Sequence, residues 1–265
     1  TNGSGKTTTI RHIMGFIKAD QGRIYVRNLD AYKEATKTKQ FIGYVPGEIA
    51  FPDLKTGISF IRSQGEFLNM HDYSYADKLI KAMQLDLNTN PRKMSKGMKQ
   101  KTAIVAALMD NHDILLLDEP TTGLDPLMRK SFLDILREEK KKGKTILISS
   151  HIFEELEDLC DRVALIKDGY IVDVVNIDSI KNPKARNFKI EFVDEKNYNN
   201  FPKSSFTIIK DKKEQNQLVL KIKREELNAF FTALALCKLK FLAEEKYNLE
   251  KYFREKLNIG VEANK

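Results

Sequence analysis

Apolar positions fall into two rhythms along this chain, continuous runs in its first two thirds and strict alternation in its last third. Ile114-Leu115-Leu116-Leu117 has no polar break and ends on Asp118-Glu119-Pro120, which predicts a strand covered on both faces, as in a parallel sheet. Thr145-Ile146-Leu147-Ile148-Ser149-Ser150 predicts a second such strand, ending at His151. From Leu127 to about Lys142, Phe132, Ile135 and Leu136 recur among charges at the spacing of an amphipathic helix. Thr8 to Phe16 and Ala103 to Met109 also predict helix, as does most of Phe51 to Met94, where Ile58, Phe60, Ile61, Phe67 and Leu68 form an apolar stripe. After about Ile180 the period becomes two. Phe188–Val193 and Leu218–Lys223 alternate as half-buried strands, Phe206–Ile209 predicts a third, and Glu225–Cys237 and Leu249–Leu257 predict helices. The pattern gives an α/β domain over 1–180 and a small α+β appendage over 181–265.

Composition narrows the class. The chain has 265 residues, 42% hydrophobic and 31% charged, which suits a globular protein with a substantial core and argues against disorder. Its uncharged apolar runs are too short to span a bilayer. Cys160 and Cys237 are too few for a disulfide scaffold and lack metal-ligand spacing, so both are expected to be reduced core residues of a cytosolic protein. Residues 181–265 hold 19 Lys or Arg against 12 Asp or Glu, so most of the net +8 sits there. A solvated lysine-rich surface accounts for this, and proximity to anionic headgroups is the alternative. No recognition-helix, zinc-finger or stacking pattern points to nucleic acid.

The candidate chemistry begins at the first residue. Thr1-Asn2-Gly3-Ser4-Gly5-Lys6-Thr7-Thr8 reads as a G-x-x-x-x-G-K-[ST] phosphate loop without its first glycine. A glycine-rich turn lets several N–H groups converge on a phosphate, Lys6 neutralises it, the Thr7 hydroxyl suits Mg²⁺, and the following helix aims its positive end at the anion. Taken alone, the same residues are an ordinary glycine-rich turn before a helix. Asp118 and Glu119 lie at the carboxyl end of the buried strand, where α/β sheets bind ligands, with Asp118 placed for Mg²⁺ and Glu119 for an attacking water. His151 ends the second strand at the same edge, whereas His12, His71 and His112 carry no such context.

In this order the phosphate loop, Leu-Leu-Leu-Asp-Glu-Pro at 115–120, Thr-Thr-Gly-Leu-Asp-Pro at 121–126 and Ser-Ser-His at 149–151 resemble the ATP-binding subunit of ABC transporters, over roughly 1–180. The resemblance implies a P-loop NTPase sheet with an inserted helical subdomain over about 53–110. It also implies ATP and Mg²⁺ as ligands. Asn2, Gly3, Ser4, Gly5, Lys6, Thr7 and Thr8 would hold phosphate, Thr7 and Asp118 the metal, and Glu119 and His151 would be catalytic. The family's Leu-Ser-Gly-Gly-Gln hallmark falls on Met94-Ser95-Lys96-Gly97-Met98, so Ser95, Lys96, Gly97 and Met98 would meet the nucleotide of an opposite subunit, with Asp125 crossing the interface. Ser95 is equally suited to cap the helix that follows. Gly47 stands where the family has a metal-contacting Gln, and Glu48 or a water would substitute.

The resemblance implies a homodimer around ATP and a membrane-spanning transporter subunit, placing the protein in the cytoplasm at the inner face of the membrane. A weak likeness of Leu249-Glu250-Lys251-Tyr252-Phe253 to exporter-type tails favours export. A soluble ABC-type regulatory ATPase with no membrane partner is the alternative. The family also places strands and an adenine-stacking aromatic before the phosphate loop, so a longer natural polypeptide is expected.

Overall fold

The computed structural model describes residues 3–262, with side chains through residue 257. It divides into two compact units. The first runs to Leu159 and includes Ala164–Asp173, and the second takes Cys160–Val163 and the chain from Val174 onward. The change of unit therefore falls in a hairpin, β6 (Arg162–Lys167) and β7 (Tyr170–Asn176), rather than near residue 180.

In the first unit α1 (Lys6–Ile13) follows the glycine-rich turn and leads to a short hairpin, β1 (Tyr25–Val26) and β2 (Leu29–Asp30), then to α2 (Ala35–Thr38). Next come β3 (Ile42–Val45), the helices α3 (Gly57–Phe67), α4 (Ser74–Ala82) and α5 (Lys96–Leu108), and β4 (Ile114–Asp118). The unit continues with α6 (Pro126–Lys141), β5 (Thr145–Ser149) and α7 (Phe153–Leu159). The parallel sheet has the order β3-β4-β5, with Val45 opposite Leu117 and Asp118 opposite Ser149. Its central position buries β4, and Leu115, Leu116 and Leu117 are all core. That is the environment an unbroken aliphatic run requires. On one face Ile10 of α1 and Met14 just after it pack with Val26, Ala31, Ile42 and Leu116.

The three-helix insertion between β3 and β4 follows local signals. Thr56 caps α3 by accepting from Ser59 N at 3.1 Å, and Ser95 caps α5 by accepting from Met98 N at 3.2 Å. The expected stripe on α3 is only partly a core stripe. Ile61 is buried, but Ile58 near the amino end is 39% and Phe67 at the carboxyl end 88% exposed. Tyr75 of α4 donates to the buried carboxylate of Glu139 on α6 at 2.6 Å, which joins the insertion to the sheet domain. Burial opposes the charge on Glu139, but bonds from Lys142, Lys144 and Tyr75 outweigh it and hold its pKa below the ordinary value.

Backbones of β3 and α5 approach unusually closely at Gly43. A Cβ there would sit well inside van der Waals contact of the Ala107 carbonyl oxygen and against Leu115. Gly43→Ala is expected to lower unfolding stability by at least about 2 kcal/mol, as overpacking against backbone does, in a denaturant titration. A midpoint unchanged from the parent protein would refute the packing account.

The second unit contains β8 (Ala185–Phe192), β9 (Thr207–Lys212), β10 (Gln217–Lys223) and β11 (Leu239–Glu245), antiparallel in the order β11-β8-β10-β9. It also holds α8 (Ile177–Lys181), α9 (Glu195–Asn200), α10 (Leu227–Ala235) and α11 (Leu249–Glu262). Phe188, Ile190 and Phe192 of β8 and Leu218, Leu220 and Ile222 of β10 point into one core with Tyr198, Phe201 and Phe230. The alternation that predicts these strands is therefore the alternation that fills the core. The sequence predicts three strands here, and β11 is the fourth. Both cysteines are free but only half-buried, so neither is the core residue expected, and burial pushes the Cys237 thiol upward.

Candidate active site

Lys6, Glu119 and His151 come from three separate segments and meet at the carboxyl edge of the sheet. Lys6 opens α1 directly after Gly5, whose left-handed φ of +108° turns the chain into the helix. The loop is steadied from the β6–β7 turn, where Gly169 N donates to Ser4 O at 3.0 Å. Lys6 Nζ lies 3.6 Å from Glu119 Oε1, and His151 Nδ1 lies 2.7 Å from Glu119 Oε2. Glu119 thus bridges a fixed cation and an imidazole. Its own backbone takes a φ of +49°, a conformation a side-chain-bearing residue adopts only when its surroundings impose it.

Those surroundings are two bonds from the end of β5. Glu119 N donates to Ser149 Oγ at 2.9 Å and approaches Ser149 O at 3.2 Å. The same Ser149 hydroxyl donates to Asp118 Oδ1 at 2.6 Å. Asp118 is 0% exposed, and its Oδ2 is buried without a hydrogen-bond partner. Burial and the nearby Asp118 charge both push the Tyr44 hydroxyl upward.

Thr7 and Thr8 are exposed in the first turn of α1, and Gly3 and Ser4 precede them in the loop, with the Ser4 hydroxyl buried and unpartnered. Asn2, also expected to bind phosphate, lies outside the described residues. Ser95, Lys96, Gly97 and Met98 form a second group, built around the loop that follows Glu119. A Cβ on Gly97 would meet Gly123 O at 2.8 Å, the Lys96 side chain lies against Gly123, and Gln100 Nε2 donates to Pro120 O at 2.8 Å. Asp125 spends its carboxylate on capping α6, accepting from Met128 N at 3.0 Å, and that bond lowers its pKa. The interface contact expected of Asp125 would therefore fall to its loop rather than to a free carboxylate. Of the histidines expected to have no role here, His112 is buried beside Gln40 O and His12 lies beside Ile17 O.

Comparison with known proteins places this arrangement. A family model described as ABC transporter matches residues 1–122. The chain is 39% identical over 177 residues to the ABC transporter ATP-binding protein NatA of Bacillus subtilis (strain 168), with 64% of this chain and 72% of NatA covered. The chain belongs to the ATP-binding proteins of ABC transporters. A second relative, the linearmycin resistance ATP-binding protein LnrL of the same strain, is 34% identical and matched over 65% of this chain. The match spans 57% of LnrL, less than two thirds of its length. A solved structure of the ATP binding subunit of an ABC transporter superimposes with a TM-score of 0.62 at 29% identity, covering 68% of this chain and 78% of the other. The α/β P-loop fold and membership of an ATP-hydrolysing family stand on these matches together with the geometry above.

The residues of this ABC ATP-binding protein fit a magnesium–nucleotide complex. Among the described residues no three His, Cys, Asp or Glu gather to hold a metal unaided. An orphaned buried carboxylate oxygen and a hydroxyl in the first turn of a phosphate-facing helix instead suit a cation that brings most of its ligands with it. Gly47 stands directly over that oxygen, where a Cβ would lie 2.9 Å from Asp118 Oδ2. The approach to Asp118 is therefore more open than any side chain at 47 would leave it. Glu48 is exposed beside it.

Ser149 and Glu155 are the residues that the sequence reading missed. Ser149 appears in the sequence as a strand end and as the first residue of Ser-Ser-His, and neither signals that its hydroxyl serves both carboxylate residues. Glu155 is one acid among several in Glu154-Glu155-Leu156-Glu157-Asp158.

Proposed function

We propose that this protein binds and hydrolyses ATP as the motor subunit of a two-component exporter, working as a homodimer with a separate membrane-spanning subunit. The observation that carries the reading is the meeting of Lys6, Glu119 and His151 above the orphaned Asp118 carboxylate. In this mechanism Lys6 and the amides at the start of α1 hold the phosphates, while Thr7 and Asp118 would hold Mg²⁺, which would supply charge neutralisation there. Glu119 orients the attacking water and accepts its proton. His151, held by Glu119, faces the γ-phosphate and stabilises charge that develops in the transition state. Ser95, Gly97 and the amino end of α5 reach the nucleotide of the other copy, so the site is complete only in the dimer, and hydrolysis releases the two copies.

A groove of about 260 Å³ supports a membrane partner. It is lined by Tyr44, Pro46, Ala50, Phe51, Phe60 and Leu68, among others, and lies where β3 meets the helical insertion, next to the Gly47 segment. The Phe51 and Phe60 rings pack edge to face at 4.8 Å, giving it an aromatic wall suited to a short amphipathic helix from a transporter subunit. The resistance role in the name of LnrL favours outward transport. Among the described residues no helix is long and apolar enough to cross a membrane. The test is co-purification from detergent-solubilised membranes. Ala50→Asp, which puts a charge in the groove, is expected to lose the membrane protein while the isolated subunit still turns over ATP. A membrane protein retained by Ala50→Asp sinks the groove assignment, and none co-purifying with the parent protein favours the soluble regulator.

A further inference from the structure

Glu155 lies in α7, and nothing in the site as described so far uses it. Its carboxylate is 3% exposed and makes a specific set of contacts. One oxygen, Oε2, accepts from Thr121 Oγ1 at 3.0 Å and from Ser150 Oγ at 3.0 Å. The other, Oε1, faces Arg129 Nε of α6 at 3.3 Å as an ion pair without hydrogen-bond geometry. Thr121 is two residues beyond Glu119, and Ser150 immediately precedes His151. The two side chains that meet at 2.7 Å thus hang from a single carboxylate oxygen, one through two peptide units and the other through one.

The connecting segments are short and internally bonded, so the tie is stiff. Thr122 N donates to Glu119 O at 3.1 Å, Leu124 N to Thr121 O at 3.1 Å, and Ile152 N to Ser150 Oγ at 3.0 Å. A core carboxylate with no task beyond stability is a costly choice, since burial penalises its charge and an apolar side chain fills the same space. Accepting two hydroxyls from two catalytic loops is a task that an apolar side chain cannot perform.

We propose that Glu155 is a positioning residue for ATP hydrolysis, one whose Oε2 fixes the spacing of the Glu119 and His151 loops. It touches neither nucleotide nor water. The inference rests on the roles given to Glu119 and His151 above. Because the nucleotide is gripped by the α1 loop, which Glu155 does not touch, its removal acts on the chemical step and leaves binding alone.

The experiment is steady-state ATP turnover by the full protein and by Glu155→Ala, Glu155→Gln, Ser150→Ala and Glu119→Gln, with affinity for a non-hydrolysable ATP analogue measured alongside. Glu155→Ala is expected to lower kcat by about tenfold or more, the scale of a sub-ångström to ångström misplacement of catalytic groups. KM for ATP and analogue affinity are expected to stay within about twofold. Glu155→Gln keeps an acceptor oxygen for both hydroxyls and is expected to restore most of kcat, which a role through the Arg129 charge would not allow. Ser150→Ala, which removes one tie and leaves the buried carboxylate in place, is expected to lower kcat at constant KM and keeps the question open to test if Glu155→Ala does not fold. Undiminished kcat in Ser150→Ala and in folded Glu155→Ala, with Glu119→Gln inactive, overturns the positioning role alone. Turnover retained in Glu119→Gln overturns the site assignment on which that role depends.

Discussion

Glu119→Gln protein is expected to bind ATP with near-parental affinity and to turn it over at least about a hundredfold more slowly, the loss that accompanies removal of a general base. The amide keeps the size of the side chain and keeps an oxygen for His151, so the backbone twist at φ +49° and its bonds to Ser149 have no reason to relax. What disappears is the negative charge between Lys6 and His151, and with it the acceptor for the proton of the attacking water. ATP that cannot be cleaved holds the nucleotide-bound dimer closed, so size-exclusion chromatography with ATP should show dimer for the variant and mostly monomer for the parent. Turnover within a few fold of the parent would remove Glu119 from the chemistry. Loss of turnover without ATP-dependent dimers would leave the chemistry in place and sink the dimeric cycle.

The second large effect has opposite signs on stability and activity. Asp118→Asn retains an oxygen to accept the Ser149 hydroxyl now bonded at 2.6 Å, and replaces the unpartnered Oδ2 with a neutral amide beneath Gly47. A buried carboxylate oxygen left without a hydrogen bond costs about 1–3 kcal/mol and a neutral amide is less costly to bury, so the nucleotide-free variant is expected to be more stable than the parent by up to about that amount. Mg²⁺-dependent turnover should fall at least about a hundredfold, because the carboxylate proposed to hold the cation is gone. Thermal melts without nucleotide, set beside ATPase assays over a range of Mg²⁺ concentrations, separate the two effects. A melting temperature lowered by the substitution would mean that Asp118 is already compensated in the folded protein.

The parts of this molecule that could be read from sequence are those where one local pattern has one physical solution. The unbroken Ile114–Leu117 run required a strand buried on both faces, and β4 is the central strand. The alternation of Phe188–Phe192 and Leu218–Ile222 produced the core face of the second sheet. Lys6, Asp118, Glu119 and His151 were legible because loop and strand ends converge at one edge of such a sheet.

What escaped depends on distant partners. Leu239-Lys240-Phe241-Leu242 lacks clean alternation because β11 is an edge strand whose register with β8 shifts between Leu239 and Phe241, so its side chains need not keep to two faces. Periodicity places Ile58 and Phe67 on one apolar face without saying whether anything covers it, and both are exposed. Ser149 and Glu155 are ordinary strand-end and helix residues until β4, β5 and α7 bring them beside Asp118, Thr121 and Ser150.

Gly97 packs against the Gly123 carbonyl so closely that a Cβ on Gly97 would lie 2.8 Å from its oxygen, and Gln100 fastens the same helix to Pro120. In each copy of the proposed dimer, therefore, the element that would reach toward a partner's nucleotide is clamped to the loop running out of its own Glu119. Moving either moves the other. In a dimer assembled around two nucleotides, loosening one site would tug at its twin, and the two would be expected to open in step, as coupled gears, rather than as independent latches.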